Sequence, residues 1–157
     1  MVSLHGNLEA RTSNGGVEVR DVDGDANLQT SNGRIRAEKV SGALTARTSN
    51  AGVRVQVAKG DRPVRLDTSN GGIELSFDQP AKSDVIAETS NGSITVRLPA
   101  SAAGRVKART SNGSVHTDFE VRREGESGKN HLDGSFGTGG PLYDLRTSNG
   151  AISLSRL

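Results

Sequence analysis

The chain of 157 residues has no cysteine and no tryptophan, one tyrosine and three phenylalanines. Without cysteine there are no disulfides, zinc–thiolate sites or thiol nucleophiles, and the redox compartment goes unmarked. With aromatics at 3%, the interleaved stacking platforms that nucleic acids need are missing, so nucleic acid is not an expected partner. No run approaches the roughly 18 apolar residues of a helical membrane span, and residues 1–6 lack the charged-then-apolar order of a signal segment. Membrane contact is expected only through flanking segments outside these residues, because the repeat begins almost at Met1, as in a mature region trimmed of a signal or anchor. Charge of one sign is never concentrated: the net value is +2 and basic and acidic residues are interspersed, as on a solvated surface. Hydrophobic content of 32% beside 20 glycines is meagre for an ordinary globule. Order has to come from repetition.

That repetition is plain. Thr-Ser-Asn begins at Thr12, Thr30, Thr48, Thr68, Thr89, Thr110 and Thr147, at spacings of 18, 18, 20, 21, 21 and 37 residues. Gly follows as Gly15, Gly33, Gly71, Gly92, Gly113 and Gly150, and once displaced by a residue, as Ala51-Gly52. A period near 20 marks stacked repeats. Around each motif apolar and polar residues alternate with the period of a strand. Four residues before the Thr stand Leu8, Ala26, Leu44, Val64, Val85, Val106 and Tyr143; two before it stand Ala10, Leu28, Ala46, Leu66, Ala87, Ala108 and Leu145. Five after it come Val17, Ile35, Val53, Ile73, Ile94, Val115 and Ile152, and seven after it Val19, Ala37, Val55, Leu75, Val96, Thr117 and Leu154. These columns point inward. Large and small residues compensate from coil to coil, Leu8 with Ala10 and Ala26 with Leu28, as a narrow interior of fixed cross-section requires. The position just before the Thr is wholly polar (Arg11, Gln29, Arg47, Asp67, Glu88, Arg109, Arg146) and faces water.

Two-residue Asn-Gly turns also signal antiparallel hairpins. Recurrence of one motif at one position favours instead an all-β, single-stranded parallel β-helix, or β-solenoid, of seven Thr-Ser-Asn coils, because a parallel stack sets like on like at about 4.8 Å. The asparagines Asn14, Asn32, Asn50, Asn70, Asn91, Asn112 and Asn149 are then expected to form an amide ladder, with the glycines admitting a left-handed turn. By strand parity the motif threonines are expected to point inward or to sit at the corner, where the methyl can pack and the hydroxyl can bond to the adjacent turn. Crossover chirality predicts a right-handed coil. The whole of 1–157 reads as one solenoid domain, with 118–141 as a degenerate coil bearing a mobile Gly-rich loop and the last coil resuming at Leu142.

The repeated Thr-Ser-Asn-Gly, with Gly139-Gly140-Pro141 leading into Leu145-Arg146-Thr147-Ser148-Asn149-Gly150, resembles the bacterial "putative adhesin" family of β-strand-repeat domains of unknown function. The resemblance covers nearly the whole chain. It implies a single-chain β-helix in an extracytoplasmic or envelope-associated setting, and brings no catalytic residues.

Chemistry-bearing residues are sparse. His5, His116 and His131 are spread over different repeats, and only His116 is expected in a strand, so a metal site, which needs converging ligands, is not expected. Asp67 and Glu88 fall in one outward column on adjacent coils, at about the separation of a glycosidase carboxylate pair, with Arg47 and Arg109 flanking them. Polysaccharide cleavage is therefore the catalytic alternative. Inward threonines and charged outer columns argue against an ice-binding face, and Gly137-Thr138-Gly139-Gly140 lacks the Lys-Ser/Thr of a phosphate loop. No catalytic, cofactor or metal site is expected. The reading is a non-enzymatic structural or adhesive module contacting a surface, glycan or protein ligand, with open solenoid ends that invite end-to-end self-association.

Overall fold

Each Thr-Ser-Asn motif turns the chain from one sheet into another. A computed structural model describes residues 4–5, 7–58, 63–78, 83–99, 103–118, 121–123, 130–136 and 140–156. After a short β1 (Leu4–His5), the first rung is β2 (Leu8–Thr12) and β3 (Val17–Asp23), and the second β4 (Ala26–Thr30) and β5 (Ile35–Val40). The third is β6 (Leu44–Thr48) and β7 (Val53–Val57), the fourth β8 (Val64–Thr68) and β9 (Ile73–Phe77), the fifth β10 (Val85–Asn91) and β11 (Ile94–Leu98). Strands before the motif form one sheet, strands after it the other, and neighbouring rungs pair in parallel with motif on motif, as in Thr48 beside Thr68 and Thr68 beside Thr89. The protein is a β-solenoid. No helix occurs among the described residues.

The rungs beyond the fifth depart from chain order. Next come β12 (Gly104–Thr110) and β13 (Val115–Thr117), then β14 (Val121–Arg123), β15 (His131–Phe136), β16 (Leu142–Asn149) and β17 (Ile152–Arg156). The sheet of leading strands runs β14-β15-β12-β16-β10-β8-β6-β4-β2, and its partner β1-β3-β5-β7-β9-β11-β17-β13. The coil formed by β16 and β17 is therefore the sixth rung in space, wedged between the fifth and the coil of β12 and β13, which becomes the seventh. The expectation that the last coil simply resumes the stack is corrected. Residues 131–136 are likewise not a degenerate coil: β15 runs antiparallel to β12, and β14 antiparallel to β15. This ribbon covers the β12 edge, so one sheet is not open at that end. The Gly-rich segments 124–129 and 137–139 lie outside the described residues.

The predicted inward columns are the core. Leu28, Ala46, Leu66, Ala87, Ala108 and Leu145 are each 0% exposed; Leu8, Ala10, Val17 and Val115, near the ends of the stack, are only partly buried. A further inward column escaped the sequence reading. Val22, Val40, Val57, Phe77 and Leu98 are all buried, but they are not in one register with the motif. In the first two rungs Asp21 and Lys39, each at φ 54°, add a residue to the strand, and the pairing of β5 with β7 shifts between Ala37 and Val40. The left-handed residue re-aims Val22 and Val40 into the core, as a bulge does.

The largest core side chain marks the wedge. Tyr143 of β16 is fully buried between Val85 and Val106, and its ring meets Phe77 edge-on at 6.4 Å and Phe136 at 5.8 Å. The seventh rung makes room by carrying Gly104, where a Cβ would lie 2.6 Å from both Tyr143 Cε2 and the Pro141 carbonyl oxygen. Aromatic contacts of this kind add to the area they bury.

Candidate functional site

The corner of the solenoid carries a continuous ladder. Nδ2 of Asn32 donates to Oδ1 of Asn14 at 2.8 Å, Asn50 to Asn32 at 2.7 Å, Asn70 to Asn50 at 2.9 Å and Asn91 to Asn70 at 2.8 Å. It then follows space rather than sequence: Asn149 donates to Asn91 and Asn112 to Asn149, both at 2.7 Å. Beneath it each motif hydroxyl from the second rung onward donates to the carbonyl one rung back, Thr30 to Gly15, Thr48 to Gly33, Thr68 to Ala51 and Thr89 to Gly71. Thr147 donates to Gly92 and Thr110 to Gly150, both at 2.8 Å. Six of the seven threonines are buried, so these bonds offset the cost of enclosing a hydroxyl.

The glycines serve a purpose other than the expected one. Among the described residues positive φ occurs at Asp21, Lys39 and Gly24, not in the motif. What the motif demands is closeness: a Cβ on Gly33 would lie 1.9 Å from the Gly15 oxygen, and one on Gly92 would lie 2.1 Å from that of Gly71. Gly71, Gly113 and Gly150 are equally tight against the rung below. The third rung carries Ala51 there, and the backbone bonding of its turn loosens although the amide ladder does not. Ser31 oxygen is shared by Ser49 N at 3.2 Å and Asn50 N at 3.0 Å, while other rungs make one bond at this point, such as Asn70 N to Ser49 O at 2.8 Å. Gly52 lies one residue past this contact.

Asp67 and Glu88 are direct neighbours in the outward column of the leading sheet. Glu88, however, is next flanked by Arg146, with an N–O distance of 3.8 Å; the wedged rung displaces Arg109 one place further along. The pair sits in a charged column between arginines, with Arg47 on its other side. The histidines are scattered as predicted, but His5 and His131 also fall in strands, β1 and β15, at opposite ends of the stack.

A groove that the sequence reading missed runs over the corner of the other sheet. It has a volume of about 380 Å³, spans rungs two to five, and is lined by Arg34, Arg36, Arg54, Glu74, Ser93 and Thr95 over Gly52 and Gly72. The column four residues past the motif Thr is small nearly throughout, Gly16, Gly52, Gly72, Ser93, Ser114 and Ala151, and Arg34 is its one charged member. Arg54 pairs with Glu74 at 2.9 Å and Arg36 with Glu38 at 2.8 Å. Arg34 is exposed and has no acidic partner among the described residues. Arg97, 3.8 Å from Glu74, extends the basic rim.

With this geometry in view, the profile of the Toastrack DUF4097 family matches residues 4–98 and again 81–155. The chain belongs to that family. The two matches overlap on the fifth rung, where sequential stacking ends. In fold the chain is similar to a solved structure described as a putative cell adhesion protein from Clostridium sporogenes, with TM-score 0.58, 13% identity and coverage of 99% of this chain and 94% of that one. No curated protein matches the chain.

Proposed function

We propose that the chain is a non-enzymatic display module of the bacterial envelope that holds an anionic polymer, an acidic glycan, in the groove over rungs two to five. The observation that carries this reading is Arg34, which has no acidic partner among the described residues, beside Arg36 and Arg54 above a floor of glycines. Glycines let an extended chain approach the backbone closely, and the guanidinium fork matches carboxylate or sulfate bidentately. Ser93 and Thr95 add hydroxyls for sugar hydrogen bonds. The solenoid supplies rigidity: nine strands about 4.8 Å apart make a sheet of about 40 Å. Display at a surface draws support from the fold neighbour described as an adhesion protein. Catalysis draws none from the site, because Asp67 and Glu88 lie on the other sheet from the groove.

The test is a glycan array read with the intact protein and with Arg34→Glu/Arg54→Glu. Sulfated or uronate-containing glycans should bind in a salt-sensitive way and neutral ones should not, and the double reversal should abolish the signal with unchanged circular dichroism. Equal binding by the variant, or turnover of any glycan, removes the reading.

A further inference from the structure

The sixth rung is filled by the last coil of the chain, which follows both of its walls in sequence. The fifth and seventh rungs form its two walls, β10 and β12 in one sheet, β11 and β13 in the other. Its occupant, residues 142–156, enters by way of Gly137-Thr138-Gly139-Gly140-Pro141. The bonds that seat it belong to the repeat itself: Asn149 to Asn91, Asn112 to Asn149, Thr147 to Gly92 and Thr110 to Gly150. None of them depends on which chain supplies the coil.

The walls nevertheless select by size. Where rungs five and seven carry Val85 with Ala87 and Val106 with Ala108, the occupant carries Tyr143 with Leu145, and the space left by Gly104 is filled by the tyrosine ring. No other coil of the chain has a pair of that bulk at these positions. A coil that fits must therefore be this one, from the same chain or from another copy.

We propose that the slot between the fifth and seventh rungs is a coil-acceptor site whose second occupant is residues 142–156 of another copy of this chain, exchanged reciprocally. Such an exchange conserves every contact of the rung and closes on itself with two-fold symmetry, with both slots filled. It differs from end-to-end stacking, which leaves ends to propagate. Within one chain the coil has the advantage of an effective concentration of about millimolar order. Exchange is accordingly a concentrated-refolding event, preserved afterwards by the slow opening of two neighbouring rungs.

The absence of cysteine gives a clean test in the full-length chain. Glu88 and Arg146 are outward, partly exposed Cα partners across the slot wall, so Glu88→Cys and Arg146→Cys together in one chain should close an internal disulfide and confirm the geometry. The two single variants, unfolded, mixed at high concentration, refolded and oxidised, should yield an 88–146 interchain disulfide in a species of dimer size. Arg47→Cys mixed with Asp67→Cys, partners on rungs three and four, is the control and should yield several-fold less. Equal yields in the two mixtures, or monomer alone in the first, overturns the proposal.

Discussion

Rungs one to five and rungs six and seven share one motif, one ladder and one set of inward columns, yet they are assembled differently. In the first group chain order and spatial order agree, and short connections leave each coil only its predecessor to stand on. In the second, the coil of residues 142–156 lies beneath a coil that precedes it in the chain. Motif contacts are the same on both sides of the boundary, so they cannot be what sets the order. The difference lies in volume. Phe77, Phe136 and Tyr143 meet at the wedge, opposite a glycine that admits the ring. Repetition builds rungs, and departures from repetition place them.

If that is so, Tyr143→Ala should be the most damaging of the informative substitutions, costing about 3–5 kcal/mol for an emptied aromatic site. Its effect should also be regional: in hydrogen exchange, β12 and β16 should lose protection while β4 and β6 keep theirs. Uniform loss along the stack would show that the wedge is not a separate unit. Next in size, Gly33→Ala should cost about 1–3 kcal/mol by forcing a methyl into the rung below. Ala51→Gly, at the rung that already tolerates one, should shift stability by less than about 1 kcal/mol; urea midpoints on the pair decide it. Smallest, Asn32→Ala and Asn149→Ala should each cost about 1 kcal/mol, equally, because an exposed amide ladder is blind to chain order. A much larger cost at Asn149 would mean that the ladder, and not the aromatic cluster, holds the sixth rung in place.

What could be read from the sequence follows the same division. The parallel rungs, the four inward columns, the inward threonines and the amide ladder were all legible, because each is a column of like residues. The order of the last coils was not, since identical columns carry no information about neighbours; the signals were the exceptional pair Tyr143 and Leu145, and Gly104 at the head of a strand. Val22 and Val40 were hidden by the extra residue at Asp21 and Lys39. The motif glycines were assigned to the right place for the wrong reason, because distance between rungs is not a local property of the turn. The basic groove was missed for a related cause. It is assembled across four coils, and its only linear trace is an arginine, Arg34, in a column otherwise made of small residues.

The wedge bears on how the rod comes into being. As the chain emerges from its N-terminal end, the first five coils can each settle on the one before, but Gly104–Thr117 cannot take its final seat until residues 142–156 have followed it. For that interval the upper wall has no neighbour of the right size beneath it. Loss of the later segment would not shorten the rod from its tip; it would leave the seventh rung without the coil on which it stacks.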